Sequence, residues 1–268
     1  MDKTELRQQR KLAALMHYNL VKEEYSDEIE KSITGSDVFE VRTDLSGKNY
    51  GDCGMTPKIY QYSSSQDILY NNPEICTEGR KVCVLNFADT IKPGGGYFKG
   101  YTTQEEELCF NSTLLPVLEA FKDSVYEKNR QIDELAEEHP FGIYSPDIIF
   151  FNEDGEERVA DVITLAAPNV HYLQSRNDIG YYFSMDDEFE FHNNLMCDMR
   201  IKDIFYQAVI HGVTDLVLGA WGCGAYGNDP KIIARYMLNC SESYPVQTHF
   251  VLTGGKNADV FKSVLEKS

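Results

Sequence analysis

Hydrophobic and polar positions divide the chain into two parts. A first quarter has few apolar runs; in the remainder, short apolar runs alternate with amphipathic stretches. From Lys3 to about Glu24, Leu6, Leu12, Leu15 and Met16 fall near one face with Arg and Lys between them, which predicts an amphipathic helix. Between Tyr25 and Asn72 the segments are short and mixed: Val38–Val41 suits a strand, and Ser46–Pro57 is rich in turn residues. The regular pattern begins with the β-branched apolar run at Val82–Leu85, as expected of a strand buried on both faces. A helix is predicted from Gln104, with Leu114, Val117, Leu118 and Phe121 at the spacing of a buried face. Asp123–Glu138 is charged and helix-prone, and Pro140 bounds it. Strands are predicted at Asp147–Phe151, Val159–Leu165, Leu216–Leu218 and His249–Leu252. Helices are predicted over Asp186–Ile210, from Pro230 through Leu238, and over Ala258–Leu265.

Strands alternating with helices indicate a layered α/β fold from about residue 79 to the end. Residues 1–78 read as an extension packed on a core of residues 79–268. So few apolar runs in a segment of that size would make a separate domain marginal.

Charge narrows the partners. A formal net charge of -18 and a pI near 4.7 argue against broad binding to nucleic acid or to an anionic membrane, both of which require basic stripes. An acidic chain can still hold a small anion through backbone N–H groups. The seven cysteines (an odd number) contain no C-x-x-C pair, which fits reduced thiols. The N-terminus lacks a signal-peptide apolar core, and no apolar run approaches the ~20 residues that span a bilayer. The expectation is a soluble, cytoplasmic monomer. The six histidines include no i, i+4 pair, so no metal site is expected, and no cofactor.

Candidate chemistry gathers in Lys92–Leu118. Gly94, Gly95, Gly96 and Gly100 follow a buried strand, and the acidic run Gln104-Glu105-Glu106-Glu107 opens the next helix. A second loop, Gly222-Cys223-Gly224-Ala225-Tyr226-Gly227, follows another strand and precedes a helix. Ligands of open α/β sheets bind at such strand ends. Glycine there reaches φ > 0 and lets backbone N–H groups approach phosphate oxygens. The alternative is that these glycines only make tight turns; two loops at equivalent junctions weigh against it. Gly222-x-Gly224-x-x-Gly227 has dinucleotide-fingerprint spacing but lacks the acidic partner about 20 residues on.

The acidic run has a structural reading too. Thr103 and Glu106 fit a capping box, and carboxylates in a first helical turn are favoured by the helix dipole. That pole lowers a carboxyl pKa, whereas a general acid needs it raised. If Glu106 is an acid, a bound diphosphate or the neighbouring Glu105 must push the other way.

Gly94-Gly95-Gly96, seven residues, then Gln104-Glu105-Glu106 matches the G-G-G-x(6–8)-Q-E-E signature of poly(ADP-ribose) glycohydrolases. The flanking Asn86-Phe87-Ala88-Asp89 and the later G-C-G-A-Y-G-N-D resemble the microbial type of that family, from about Lys81 to Leu252 and more loosely in the extension. The resemblance implies a macrodomain-like three-layer α/β/α fold with a mixed central sheet, plus a mainly helical N-terminal extension. It implies hydrolysis of ribose–ribose bonds in poly(ADP-ribose), free or on modified proteins, to release ADP-ribose. Glu106 would be general acid and base, and Glu105 would orient the sugar. Asn86, Asp89 and Gln104 would contact substrate, while Gly94–Gly96 and the second loop would hold the diphosphate. Tyr226 would pack on the distal ribose where the family usually has Phe. Asp89 departs from the usual Asn: it cannot donate as an amide does and adds charge beside a diphosphate. In bacterial members the extension caps the adenosine ribose, so cleavage from chain ends is expected.

Other functions compete. A non-catalytic ADP-ribose reader would use the same cleft with no need of Gln104-Glu105-Glu106, and their retention favours an enzyme. A hydrolase of mono-ADP-ribose is kept open by Asp89. A nucleotide-dependent oxidoreductase lacks its acidic partner.

Overall fold

Seven strands form one mixed sheet in the computed structural model, which describes residues 3–44, 50–51, 53–136, 138–183 and 185–266. They are β1 (Asp37–Glu40), β2 (Lys58–Gln61), β3 (Val82–Phe87), β4 (Phe141–Phe151), β5 (Glu157–Leu165), β6 (Asp215–Leu218) and β7 (Gln247–Leu252). Their order is β1-β4-β5-β3-β6-β7-β2. Strand β4 is antiparallel to both neighbours, and all other pairs are parallel.

Strand β3 lies at the centre and is buried from Val82 to Asn86, which explains its unbroken apolar run. Its side chains alternate between two cores. Cys83 and Leu85 pack with Ile204, Met237 and Phe261 from the helices Asp186–Ile210, Pro230–Ser243 and Lys256–Leu265. Val82 and Val84 pack with Val21, Leu108 and Leu118 from the helices Lys3–Glu24, Gln104–Phe110 and Leu114–Ala120. The chain is therefore a three-layer α/β/α structure. The carboxyl ends of β3, β6, β7 and β2 point the same way, so the loops after them meet at one edge.

The extension contributes both edge strands of the sheet, from the first 61 residues. Several expectations of local structure are corrected. Strand β2 carries no distinctive apolar pattern because it lies at an edge, with Lys58 and Gln61 exposed. Strand β4 begins six residues before Asp147; its signal is interrupted by Pro146, where the register shifts between Ser145 and Ile148 and Asp147 adopts φ 55°. The helix from Gln104 stops at Phe110 and restarts at Leu114, since Ser112 leaves it to pair with Phe150. Asp123–Glu138 is not one helix. It holds a π-helical turn, a short helix Glu127–Asn129 and a 3-10 turn Glu134–Ala136, and Asn129 draws the chain into β4 through both backbone groups of Phe141.

The N-terminal helix also faces otherwise than its pattern suggests. Leu12, Leu15 and Met16 are exposed, while Ala14 and Val21 are buried. The helix docks through Tyr97, whose hydroxyl donates to the Ala14 carbonyl at 3.0 Å and contacts His17 Nδ1 at 2.7 Å. The turn-rich stretch Ser46–Pro57 lies partly outside the described residues. All seven cysteines are unpaired. Among the described residues no helix is long and apolar enough to cross a membrane.

Candidate active site

Gln104 sets the position of everything that follows it. Its Oε1 accepts the Phe87 N–H at 2.8 Å, and its Nε2 donates to the Leu85 carbonyl at 2.8 Å and to Ser65 Oγ at 3.3 Å. The side chain thus satisfies backbone groups at the end of β3 and pins the helix start there. Glu105 and Glu106 are delivered together at the carboxyl end of the central strand.

Both carboxyls are buried and both are held. Glu105 Oε2 accepts the Asp89 N–H at 2.8 Å, and its Oε1 accepts from Asn86 Nδ2 at 3.3 Å. Burial pushes the Glu105 carboxyl well above its ordinary range; the charges of Asp89 and Glu106 add to the rise, and these two hydrogen bonds oppose it. Glu106 makes the capping box with Thr103: its Oε2 accepts the Thr103 N–H at 2.9 Å and the Thr103 hydroxyl. Its Oε1 accepts the Gly96 N–H at 2.6 Å. Glu107, half-buried behind them, is raised by burial first and then by Asp67 and Glu106.

The first glycine loop is shaped around these carboxyls. A Cβ on Gly95 (φ 54°) would sit 2.7 Å from Glu106 Oε1 and 2.9 Å from Glu105 Oε2. The two oxygens therefore converge over one point of backbone, no further apart than the sum of those distances. A Cβ on Gly96 would collide with the Tyr101 ring. Two N–H groups expected to cradle phosphate are already donated within the protein, Gly95 to the Lys92 carbonyl and Gly96 to Glu106. Gly94 packs against Leu115, 2.5 Å from where its Cβ would be. This loop positions the carboxyls more than it offers an anion cradle.

The second loop follows β6. Asn228 Nδ2 donates to the carbonyls of Pro168 at 2.8 Å and Gly222 at 3.1 Å, and its Oδ1 accepts from Asn193 at 3.2 Å. Asn257 donates to the Cys223 carbonyl. Gly222 (φ 73°) leaves 2.5 Å between its missing Cβ and that of Ala167. Tyr226 joins the two loops, its hydroxyl accepting the Thr90 N–H at 3.3 Å. Asp89 Oδ1 accepts the Ile91 N–H at 2.9 Å, a local turn that occupies part of its carboxylate.

Between the loops runs a cleft of about 840 Å³, a size suited to a nucleotide-sized ligand. Of the predicted residues, Asn86, Gly94 and Gly227 stay off its wall, and the others line it. Asn86 is fully buried and acts on Glu105, whereas Gly227 (φ 78°) packs against the His171 ring. Sequence reasoning missed Ser63 and Ser65 after β2, Lys92, Lys99 and Tyr101 around the first loop, and Thr253 and Asn257 after β7. The two lysines flanking Gly94–Gly96 in so acidic a chain were a legible signal. The serines had none, because β2 was not predicted.

Residues 9–153 match the family model for the catalytic domain of microbial-type PARG, poly(ADP-ribose) glycohydrolase. The match begins inside the extension and ends before the second loop. No curated protein matches the chain. Among solved structures the fold is similar to poly(ADP-ribose) glycohydrolase from Thermomonospora curvata, with TM-score 0.77 and 23% identity over 98% of this chain and 100% of that one. The same enzyme bound to the inhibitor ADP-HPD gives TM-score 0.74 at 23% identity, with the same coverage. The Deinococcus radiodurans enzyme in complex with ADP-ribose gives 0.68 at 24% identity, covering 89% of this chain and 97% of that one. At these identities the structural likeness speaks for the fold.

Proposed function

The chain belongs to the microbial-type poly(ADP-ribose) glycohydrolases, and from that premise we propose how its own residues cut the polymer. The terminal ADP-ribose lies in the cleft with its distal ribose over Gly95, where the Glu105 and Glu106 oxygens converge. Glu106 donates a proton to the departing ribose oxygen as the anomeric C–O bond breaks and an oxocarbenium-like ribose forms. The resulting carboxylate then takes a proton from the water that attacks the anomeric carbon, which releases ADP-ribose and restores the acid.

Burial, reinforced by the charge of Asp89 and Glu106, raises Glu105, so a proton is held within reach of Glu106 although Glu106 sits at a helix N-terminus. Glu105, fixed by Asp89 N–H and Asn86, orients the ribose hydroxyls. The second loop, braced by Asn228 and Asn257, carries the diphosphate on its backbone. Tyr226 packs on the distal ribose.

The observation that carries this reading is the convergence of two buried carboxyls over Gly95. Its test is to incubate wild type, Glu106→Gln and Glu105→Gln with automodified poly(ADP-ribose) and with mono-ADP-ribosylated protein, and to follow free ADP-ribose. Release from polymer by wild type and not by Glu106→Gln supports the assignment. Equal release by both removes Glu106 from the mechanism, and binding without release from either substrate makes the protein a reader.

A further inference from the structure

The mechanism leaves one wall of the cleft without a role, beside the acid. Tyr101 lines the cleft and is 49% exposed. Its ring fills the space that a Cβ on Gly96 would need, and the Gly96 N–H is the donor on Glu106 Oε1. Two residues on, the Thr103 N–H holds Oε2 of the same carboxylate. An open aromatic ring thus borders the group assigned to protonate the leaving oxygen.

The ring is braced from outside. The Arg7 guanidinium stacks over it at 4.6 Å, and Arg7 Nε donates to the Lys99 carbonyl at 3.0 Å. Gly100 (φ 70°) permits this approach, since a Cβ there would meet the Arg7 carbonyl at 2.8 Å. Lys92 and Lys99 also line the cleft. In a chain of net charge -18, the cleft rim thus carries an aromatic ring and two lysines from the stretch 92–101, with Arg7 on the ring.

The chemistry of the leaving group matches that rim. The bond broken joins the anomeric carbon of one ribose to a hydroxyl of the adenosine ribose of the next unit. The departing oxygen therefore has an adenine on its own sugar and a diphosphate just beyond. Aromatic side chains bind bases through their π-faces, and lysines attract phosphates as point charges. We propose that Tyr101, positioned by Arg7 and flanked by Lys92 and Lys99, forms a subsite for the leaving ADP-ribosyl unit, with the ring against its adenine and the lysines toward its diphosphate. This subsite rests on the glycohydrolase reading above and gives it a physical basis for preferring polymer, because a mono-ADP-ribosylated side chain puts no purine there.

The test separates the inner unit from the leaving one. In the Glu106→Gln background, affinities are measured by calorimetry for ADP-ribose, which fills the inner site alone, and for the ribose-linked ADP-ribose dimer, which spans both. Adding Tyr101→Ala should weaken the dimer roughly tenfold and change the affinity for ADP-ribose far less. Tyr101→Leu, which still covers Gly96 but has no π-face, should behave like Tyr101→Ala and guards against a folding defect. Tyr101→Phe should match the parent. With catalytically intact protein, Arg7→Gln should raise KM for polymer and leave kcat unchanged. Unaltered dimer affinity in Tyr101→Ala and Tyr101→Leu overturns the subsite, as does an equal loss for ADP-ribose. Failure of the wild type to bind ADP-ribose or turn over polymer instead sinks the glycohydrolase reading.

Discussion

The N–H of Gly96 donates to Oε1 of Glu106 across 2.6 Å, and this bond ties the first glycine-rich loop to the helix that carries the proposed acid. The other oxygen of Glu106 is held by Thr103. One carboxylate therefore completes a helix cap and fixes a loop, so its structural and chemical roles are separable only by choosing the substitution with care.

Gln at residue 106 keeps one acceptor oxygen for the capping box but turns an NH2 toward the N–H of Gly96 or of Thr103, leaving one donor unsatisfied. Glu106→Gln should therefore cost about 1–3 kcal/mol of stability while lowering kcat on polymer by roughly 10²–10⁴-fold. Thermal unfolding and initial rates of ADP-ribose release check the two halves. A variant as active as wild type rules out Glu106 as acid.

Gly95→Ala places a methyl group 2.7 and 2.9 Å from two carboxylate oxygens at φ 54°. Gly155, in the β4–β5 turn, has a comparable φ of 76° with nothing near its missing Cβ. Both alanine variants should lose about 1–2 kcal/mol from left-handed backbone strain, but only Gly95→Ala should lose turnover. Urea unfolding and polymer assays on the two variants make the comparison; full activity in Gly95→Ala contradicts the assigned position of the ribose.

The raised Glu105 carboxyl sets a pH dependence of stability. Above the ordinary glutamate value of 4.5 the unfolded chain has released this proton and the folded one retains it, so stability falls as pH rises toward the raised folded pKa. Glu105→Gln removes that term. Its unfolding free energy should fall less steeply with pH above about 4.5, and at neutral pH it should equal or exceed that of wild type despite lower activity. Denaturant midpoints between pH 4 and pH 8 test this; parallel curves for the two proteins would contradict it.

Asp215 provides the opposite sign at the amino-terminal end of β6, remote from the cleft. Burial favours its protonation, but hydrogen bonds from His249 at 2.7 Å, from Arg80 and from Thr214 outweigh that and hold it at about 2. Its contribution is present above the ordinary aspartate value and is lost as pH falls toward 2. Asp215→Ala leaves a buried His249 and Arg80 without their shared partner and should cost on the order of 3 kcal/mol with kcat retained in what remains folded. A loss of kcat in folded protein would show coupling to the cleft.

Tyr226→Phe removes only the acceptor for the Thr90 N–H. The expected cost is about 1 kcal/mol or less for a hydrogen bond at 3.3 Å, whereas Tyr226→Ala also loses the ring packed in the cleft wall and should lower kcat. Polymer kinetics on the pair decide whether the hydroxyl or the ring matters.

Local chemistry determined a good deal of this protein from its sequence alone. The apolar runs of β3, β5, β6 and β7 read as buried strands because strands covered on both faces are rich in apolar residues. The Thr103–Glu106 cap and the placement of Glu105 and Glu106 after β3 were equally legible, since a capping box is written within four residues. Long-range contacts decided the rest. Strand β2 exists because β7 offers it a ladder of backbone hydrogen bonds, and its own residues carry little signal. The exposure of Leu12, Leu15 and Met16 follows from where Tyr97 docks the helix. Asn86 and Gln104 proved to be holders of a carboxyl and a strand end, a role set by partners up to 78 residues away. Only the folded chain brings Arg7, Tyr101 and Gly96 together beside Glu106, because that meeting depends on two backbones passing at a glycine, which periodicity does not encode.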